Sequence, residues 1–224
     1  MRYRVGESEG TLSATLRPAR PIEIGDAVGM ITGPEEPVGL ALAELGIEVE
    51  ALPDLRPETL ARYRALLVGS EAHEKDLCGL REGWPALMDF AYSGGRLAVM
   101  QLQNTSYQPG FLPLPLQMSD NSAAFGEIVA GEHPIFSAPN AIASLAGVIS
   151  YDTITGADPG WTVLATDTNG DPSVLSTQFG AGEVLVVQPS PDRYVLGRET
   201  PGEGLTVEAC GQFLANVVAW LRGR

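Results

Sequence analysis

Four side chains able to move protons or hold a cation, Glu71, His73, Glu74 and Asp76, fall within one six-residue stretch. Imidazole and carboxylate together suit a divalent cation or an acid and base pair. The competing reading is a solvated acidic loop with one histidine, since no second histidine is close in sequence and His133 or Asp120 would have to approach from elsewhere. A second set, Gln101, Gln103 and Asn104, ends an apolar run in amides, which bond to ligands but neither attack carbonyls nor trade protons near neutral pH. Ser70 and Ser190 are hydroxyls with no histidine at a motif spacing, and there is no Gly-x-Ser-x-Gly elbow. Asp167, Asn169 and Asp171 alternate like a calcium loop, but the twelfth position is Gln178, so Asn169-Gly170 reads as a hairpin turn.

These groups fall where strands should end. Gly94-Gly95 releases the chain from a helix into residues 97–100, an unbroken apolar run of the kind a parallel strand covered on both faces shows. Ligands bind at the carboxyl ends of such strands, which places Gln101, Gln103 and Asn104 at the expected edge. From Asp26 the rhythm is strand, helix, strand: strands at 27–31, 47–52 and 65–68, with helices at 38–45 and 57–63 between them. Ser70, Glu71 and His73 then lie in the loop after the third strand. Trp84, Leu87, Met88 and Ala91 set an amphipathic helix over 80–92. Beyond Asn104 the pattern loosens, and Pro109, Pro113 and Pro115 make 107–116 an extended surface segment: a lid over the sheet edge, a protein contact, or an irregular insert packed onto the sheet in a purely structural role. Three strands follow at 161–165, 174–179 and 183–187, the last two joined by Gly180-Ala181-Gly182, and a helix over 206–221 carries Cys210, Phe213, Leu214, Val217 and Leu221 on one face. Residues 1–25 read as an N-terminal arm or hairpin, and 26–224 as one α/β domain.

The charge is acidic, with 14 Lys and Arg against 28 Asp and Glu and a net of -14, which on average repels nucleic acids and anionic membranes. No apolar run approaches the ~18 residues a spanning helix needs, and residues 1–7 have no apolar leader segment, so a cytoplasmic location is expected. Cys78 and Cys210 have no metal-ligand spacing and are expected as reduced thiols. No cofactor is expected.

The order of elements, Gly94-Gly95-Arg96-Leu97-Ala98-Val99-Met100, Glu132-His133-Pro134-Ile135-Phe136 and Phe179-Gly180-Ala181-Gly182-Glu183-Val184 resemble the class I glutamine amidotransferase-like superfamily. The closest likeness is to its ThuA-like and beta-galactosidase trimerisation-domain branches. The resemblance implies a flavodoxin-like three-layer sandwich with a mainly parallel sheet, a short N-terminal strand arm and a C-terminal β-hairpin. In catalytic members a Cys follows the strand equivalent to 97–100, and a His-Pro-Glu follows a late strand. Here Gln101, or Leu102 if the register slips by one, stands for the Cys, Gln188 for the His and Ser190 for the Glu. The resemblance thus implies a non-catalytic domain that binds a small polar molecule or carbohydrate, through groups such as Gln101, Gln103, Asn104 and Gln188, or supports assembly as a homo-oligomer or with a partner enzyme domain. A hydrolase built on Glu71 and His73, with or without a metal, and a purely structural module are the rival expectations.

Overall fold

The computed structural model describes residues 26–223, together with strand backbone at 2–5 and 8–11. Strands β1 (Arg2–Val5) and β2 (Ser8–Thr11) pair antiparallel. The strand-like alternation at 11–16 lies, past Thr11, outside the described residues.

The main sheet begins with β3 (Val28–Ile31), followed by α1 (Pro37–Glu44), the two-residue β4 (Glu50–Ala51), α2 (Pro57–Leu60) and β5 (Ala65–Val68). A 3-10 turn at Leu77–Gly79 leads into α3 (Leu80–Tyr92) and then β6 (Arg96–Met100). Proline opens α1 and α2 at a position whose missing N–H costs a helix nothing. Residues 47–52 give a far shorter strand than their pattern suggests, because only Glu50 and Ala51 reach β3 in register.

The segment after Asn104 holds more regular structure than its sequence announces: β7 (Leu116–Ser119), β8 (Ala123–Ile128), the short α4 (Pro134–Ser137), β9 (Ile149–Ser150) and β10 (Thr153–Ala157). Then come β11 (Thr162–Asp167), β12 (Pro172–Phe179), β13 (Gly182–Val187), a five-residue α5 (Pro191–Val195) and α6 (Val207–Leu221). The β12 to β13 turn is tight: a Cβ at Gly182 would strike the carbonyls of Ala91 and Gly95, so this glycine lets the hairpin pack on the end of α3.

The nine-stranded sheet runs β4-β3-β5-β6-β13-β12-β11-β8-β9. From β4 to β13 all pairs are parallel, and from β13 outward they are antiparallel. β6 is therefore central, between β5 and β13. Its side chains divide by the period of two: Ala98 and Met100 enter one core with α1, α4, α5 and α6, while Leu97 and Val99 enter the other with α2 and α3. The result is a flavodoxin-like α/β sandwich of three layers.

Of the roles weighed for the proline-rich stretch, packing onto the sheet is the one its contacts match, and it is less of a surface segment than expected. Leu112 and Leu116 are buried in the α3-side core, the Trp84 indole N–H donates to the Phe111 carbonyl, and the Leu116 N–H donates to the Tyr107 hydroxyl at 3.2 Å. With the separate ribbon β7–β10 it fills the layer beside α3. Burying a leucine there contributes about 1.5–3 kcal/mol, so its apolar residues serve the core. Asp167 is likewise structural: Oδ1 accepts from the Asn169 and Asp171 N–H groups at 2.7 and 3.0 Å and shapes the β11 to β12 turn.

Candidate functional site

The backbone leaves β6 through Gln101 with φ of +47°, a left-handed conformation that a residue with a Cβ adopts at a cost of about 1–3 kcal/mol. The Gln101 N–H is still bonded to the Val187 carbonyl at 2.7 Å, so the next strand holds the turn in place. The left-handed residue at this strand end is Gln101 and not Leu102.

What lies opposite is an amide committed to the protein. Gln188, 1% exposed at the end of β13, accepts from the Leu102 N–H through Oε1 at 3.2 Å. Its Nε2 donates to the Leu102 carbonyl at 2.6 Å and the Asp152 carbonyl at 2.9 Å. The N–H after an elbow residue is the usual donor for an oxyanion; here a side-chain oxygen already takes it. Both polar atoms of the Gln188 side chain are thereby bonded to main chain. Around the turn lies a cavity of about 40 Å³ lined by Gln101, Leu102, Gln103, Tyr151, Asp152, Gln188 and Arg193. Gln103 and Asn104 are half-buried beside it. The Gln103 carbonyl accepts from Ser106 and Tyr107, and burial pushes the Asp152 carboxyl up, against the lowering effect of the Asn104 backbone.

A second polar centre sits at the ends of β3 and β5. Glu36, 1% exposed, caps α1 and accepts from Val38 N–H, Gly39 N–H, the Thr32 hydroxyl and both the N–H and hydroxyl of Ser70. Its carboxyl lies so close to Gly69 that a Cβ there would collide with it. Ser70 is thus bound into the scaffold. Ser190 and Asp192, at the start of α5, are fully buried, yet the Ser190 hydroxyl and both Asp192 carboxyl oxygens have no partner among the described residues. Burial, reinforced by the charge of Glu36, pushes the Asp192 carboxyl up to about 7.

The structure does not bring Glu71 and His73 together as a site. Glu71 pairs with Lys75 at 2.5 Å and Arg193 at 3.7 Å. His73 packs edge-on against Trp84 and Phe111, with ring centroids 5.6 and 4.7 Å away, and burial lowers its pKa. His133 caps α4, its Nδ1 accepting from the Ile135 N–H. Among the described residues no three His, Cys, Asp or Glu side chains are placed to hold a metal. Cys78 and Cys210 are free thiols, Cys78 donating to the Leu52 carbonyl at 3.1 Å, and burial pushes Cys210 up to about 12. Neither is an activated nucleophile.

Sequence reasoning missed Glu36, Tyr151, Asp152, Asp192 and Arg193. A signal existed for two of them: Glu36-Pro37 and Pro191-Asp192 each place a carboxylate beside a helix-opening proline at a strand end.

Solved structures share this fold. A cytoplasmic protein from Salmonella typhimurium superposes with a TM-score of 0.57 at 13% identity, over 87% of this chain and 98% of that one. A glutamine amidotransferase gives 0.53 at 17% identity, over 88% and 100%. These likenesses show a shared fold. A beta-galactosidase from Rahnella sp. R3 gives 0.52 at 13% identity, and there the matched part is 31% of the enzyme against 88% of this chain. No family model matches the sequence, and no curated protein matches it. No helix among the described residues is long and apolar enough to cross a membrane.

Proposed function

We propose that the chain is a non-catalytic amidotransferase-like domain that supports assembly, with further copies of itself or with a partner enzyme domain, in the cytoplasm. The observation that carries this reading is the Gln188 amide on the main chain of Leu102: the position suited to a reacting carbonyl is filled by a side chain of the protein itself. Gln101 and Ser190 supply neither thiolate nor base. The beta-galactosidase neighbour, in which this fold makes up about a third of a larger enzyme, supports a scaffold role by analogy of fold.

A sugar at the strand ends is a weaker reading, because pockets for organic ligands run to about 300–1,000 Å³ and the cavity beside Gln101 is about 40 Å³. A hydrolase using Glu71 and His73 would need both side chains released from their present partners. Sedimentation velocity across a wide range of protein concentration tests the assembly reading. The expected result is a concentration-dependent shift from monomer to oligomer; a monomer at every concentration overturns self-assembly.

A further inference from the structure

The five-residue helix α5 packs on α1 and α6, and it carries a group that suits its place only when uncharged. Asp192 has no exposed surface, and neither of its carboxyl oxygens nor the neighbouring Ser190 hydroxyl has a partner among the described residues. A carboxylate buried without donors is far less tolerable than a buried carboxylic acid. The charged and titratable groups around it give little relief. Glu36, at the head of α1, repels the ionised form, while Arg193 and Arg198, on its own segment, favour it without bonding to it. Cys210, near enough on α6 to feel the Asp192 charge, stays neutral, its thiol pushed up to about 12 by burial.

The rest of α5 is fastened by contacts that need no charge on Asp192. Tyr194, 3% exposed, donates from its hydroxyl to the Gly147 carbonyl at 2.8 Å. Arg193 lies over the Tyr151 ring at 4.4 Å and reaches Glu71 at 3.7 Å. The chain leaves α5 through the exposed Gly197, at φ of +64°, and passes Gly202 and Gly204 before α6 begins, so α5 can move without carrying α6 with it. On the other side it is anchored at Gln188, whose amide holds the main chain of Leu102.

We propose that α5 is a proton-controlled latch: it stays docked while Asp192 is neutral, and when Asp192 ionises it lifts off α1 and α6, withdrawing Arg193 from Glu71 and Tyr151 beside the strand ends. The latch requires no second copy of the chain and stands apart from the assembly reading. Once lifted, Asp192 returns in water to its ordinary value of 3.8, against about 7 when docked. The docked state therefore binds more protons over that interval. The lifted fraction rises by about tenfold per pH unit until pH passes the docked value, and then levels off.

The test is amide hydrogen exchange read by mass spectrometry from pH 5 to pH 8, each rate divided by the intrinsic rate at that pH, in wild type and in Asp192→Asn. In wild type, protection of residues 191–197 should fall by at least about tenfold across the range, while β6 keeps its protection. In Asp192→Asn the α5 protection should stay level. Constant α5 protection in wild type overturns the proposal, as does the same fall in both proteins. A parallel fall in β6 also overturns it, since that is unfolding of the whole domain. Should the variant not fold, wild type alone decides through its two thiols. Burial pushes both Cys78 and Cys210 above the ordinary thiol value, so their thiolate fractions rise in parallel over this range. Labelling by a methanethiosulfonate should speed up at Cys210 relative to the half-buried Cys78 by about tenfold between pH 6 and pH 8; a constant ratio overturns the latch.

Discussion

Gln188, just past the end of β13, and Asp192, four residues on at the start of α5, are both buried and both polar, yet their surroundings are opposites. Every polar atom of the Gln188 side chain is hydrogen-bonded to main chain, and neither carboxyl oxygen of Asp192 has a partner among the described residues. The first turns a strained strand end into a fixed piece of scaffold. In the second, burial favours the neutral carboxyl over the charged one. Burial alone therefore does not make a polar group functional or structural; its complement of partners decides which.

The largest effect is expected where the partners are removed. Gln188→Met keeps the volume but orphans the Leu102 N–H and the carbonyls of Leu102 and Asp152. At about 1–3 kcal/mol for a buried unsatisfied group, urea unfolding should show a loss of about 3–5 kcal/mol. A change under about 1 kcal/mol would mean that the lock is not needed and would erase the contrast with Asp192.

Asp192→Asn sharpens the other side. Burial pushes the native carboxyl up to about 7 from its ordinary value of 3.8, so the folded state binds more protons across that interval. Stability from this group is full below the unfolded value and is lost as pH rises through the folded one. The advantage of Asp192→Asn over wild type should be near zero at pH 4, grow through pH 7 and level off at about 2–4 kcal/mol. Denaturation at a series of pH values reads this directly; a flat difference would place the charge elsewhere.

His73→Ala should cost about 2 kcal/mol through lost packing against Trp84 and Phe111. Because burial lowers the His73 pKa, the stability it supports is present at neutral pH and is lost as pH falls through the lowered value. The gap between wild type and variant should therefore narrow in acid, and a chelator should leave the wild-type Tm unmoved. The smallest effect is expected at the partly exposed Glu71, where Glu71→Ala should change stability by less than about 1 kcal/mol, since its bonds to Lys75 and Arg193 are made near the surface. A larger loss measured by thermal unfolding would make this pair part of the locked region.

Much of the parallel half was legible, because its signals are local. Ala65–Val68 and Leu80–Tyr92 have the predicted bounds, and the run ending at Met100 is the central strand, since period and glycine punctuation report on a few neighbouring residues. The stretch from Leu116 to Ala157 was not legible. Its strands pair with partners far off in sequence, and its prolines and short apolar runs look the same whether they meet solvent or a second core. At the site, the placing of Gln101 and Gln188 at the ends of neighbouring strands was readable from the apolar runs that precede them. That Gln188 would bond to Leu102 and Asp152, that Glu36 would gather five donors, and that Arg193 would cross to Glu71 and Tyr151 depend on tertiary approach, which no spacing encodes.

The central claim, that the strand end at Gln101 is a lock and not a reaction centre, is tested most directly by ammonia release from glutamine, measured for wild type and for Gln101→Cys. Neither should release ammonia above the buffer rate: in the variant a thiol stands at the turn, but the Leu102 N–H still belongs to Gln188 and no histidine is among the residues lining the cavity there. Turnover by either protein would contradict the account.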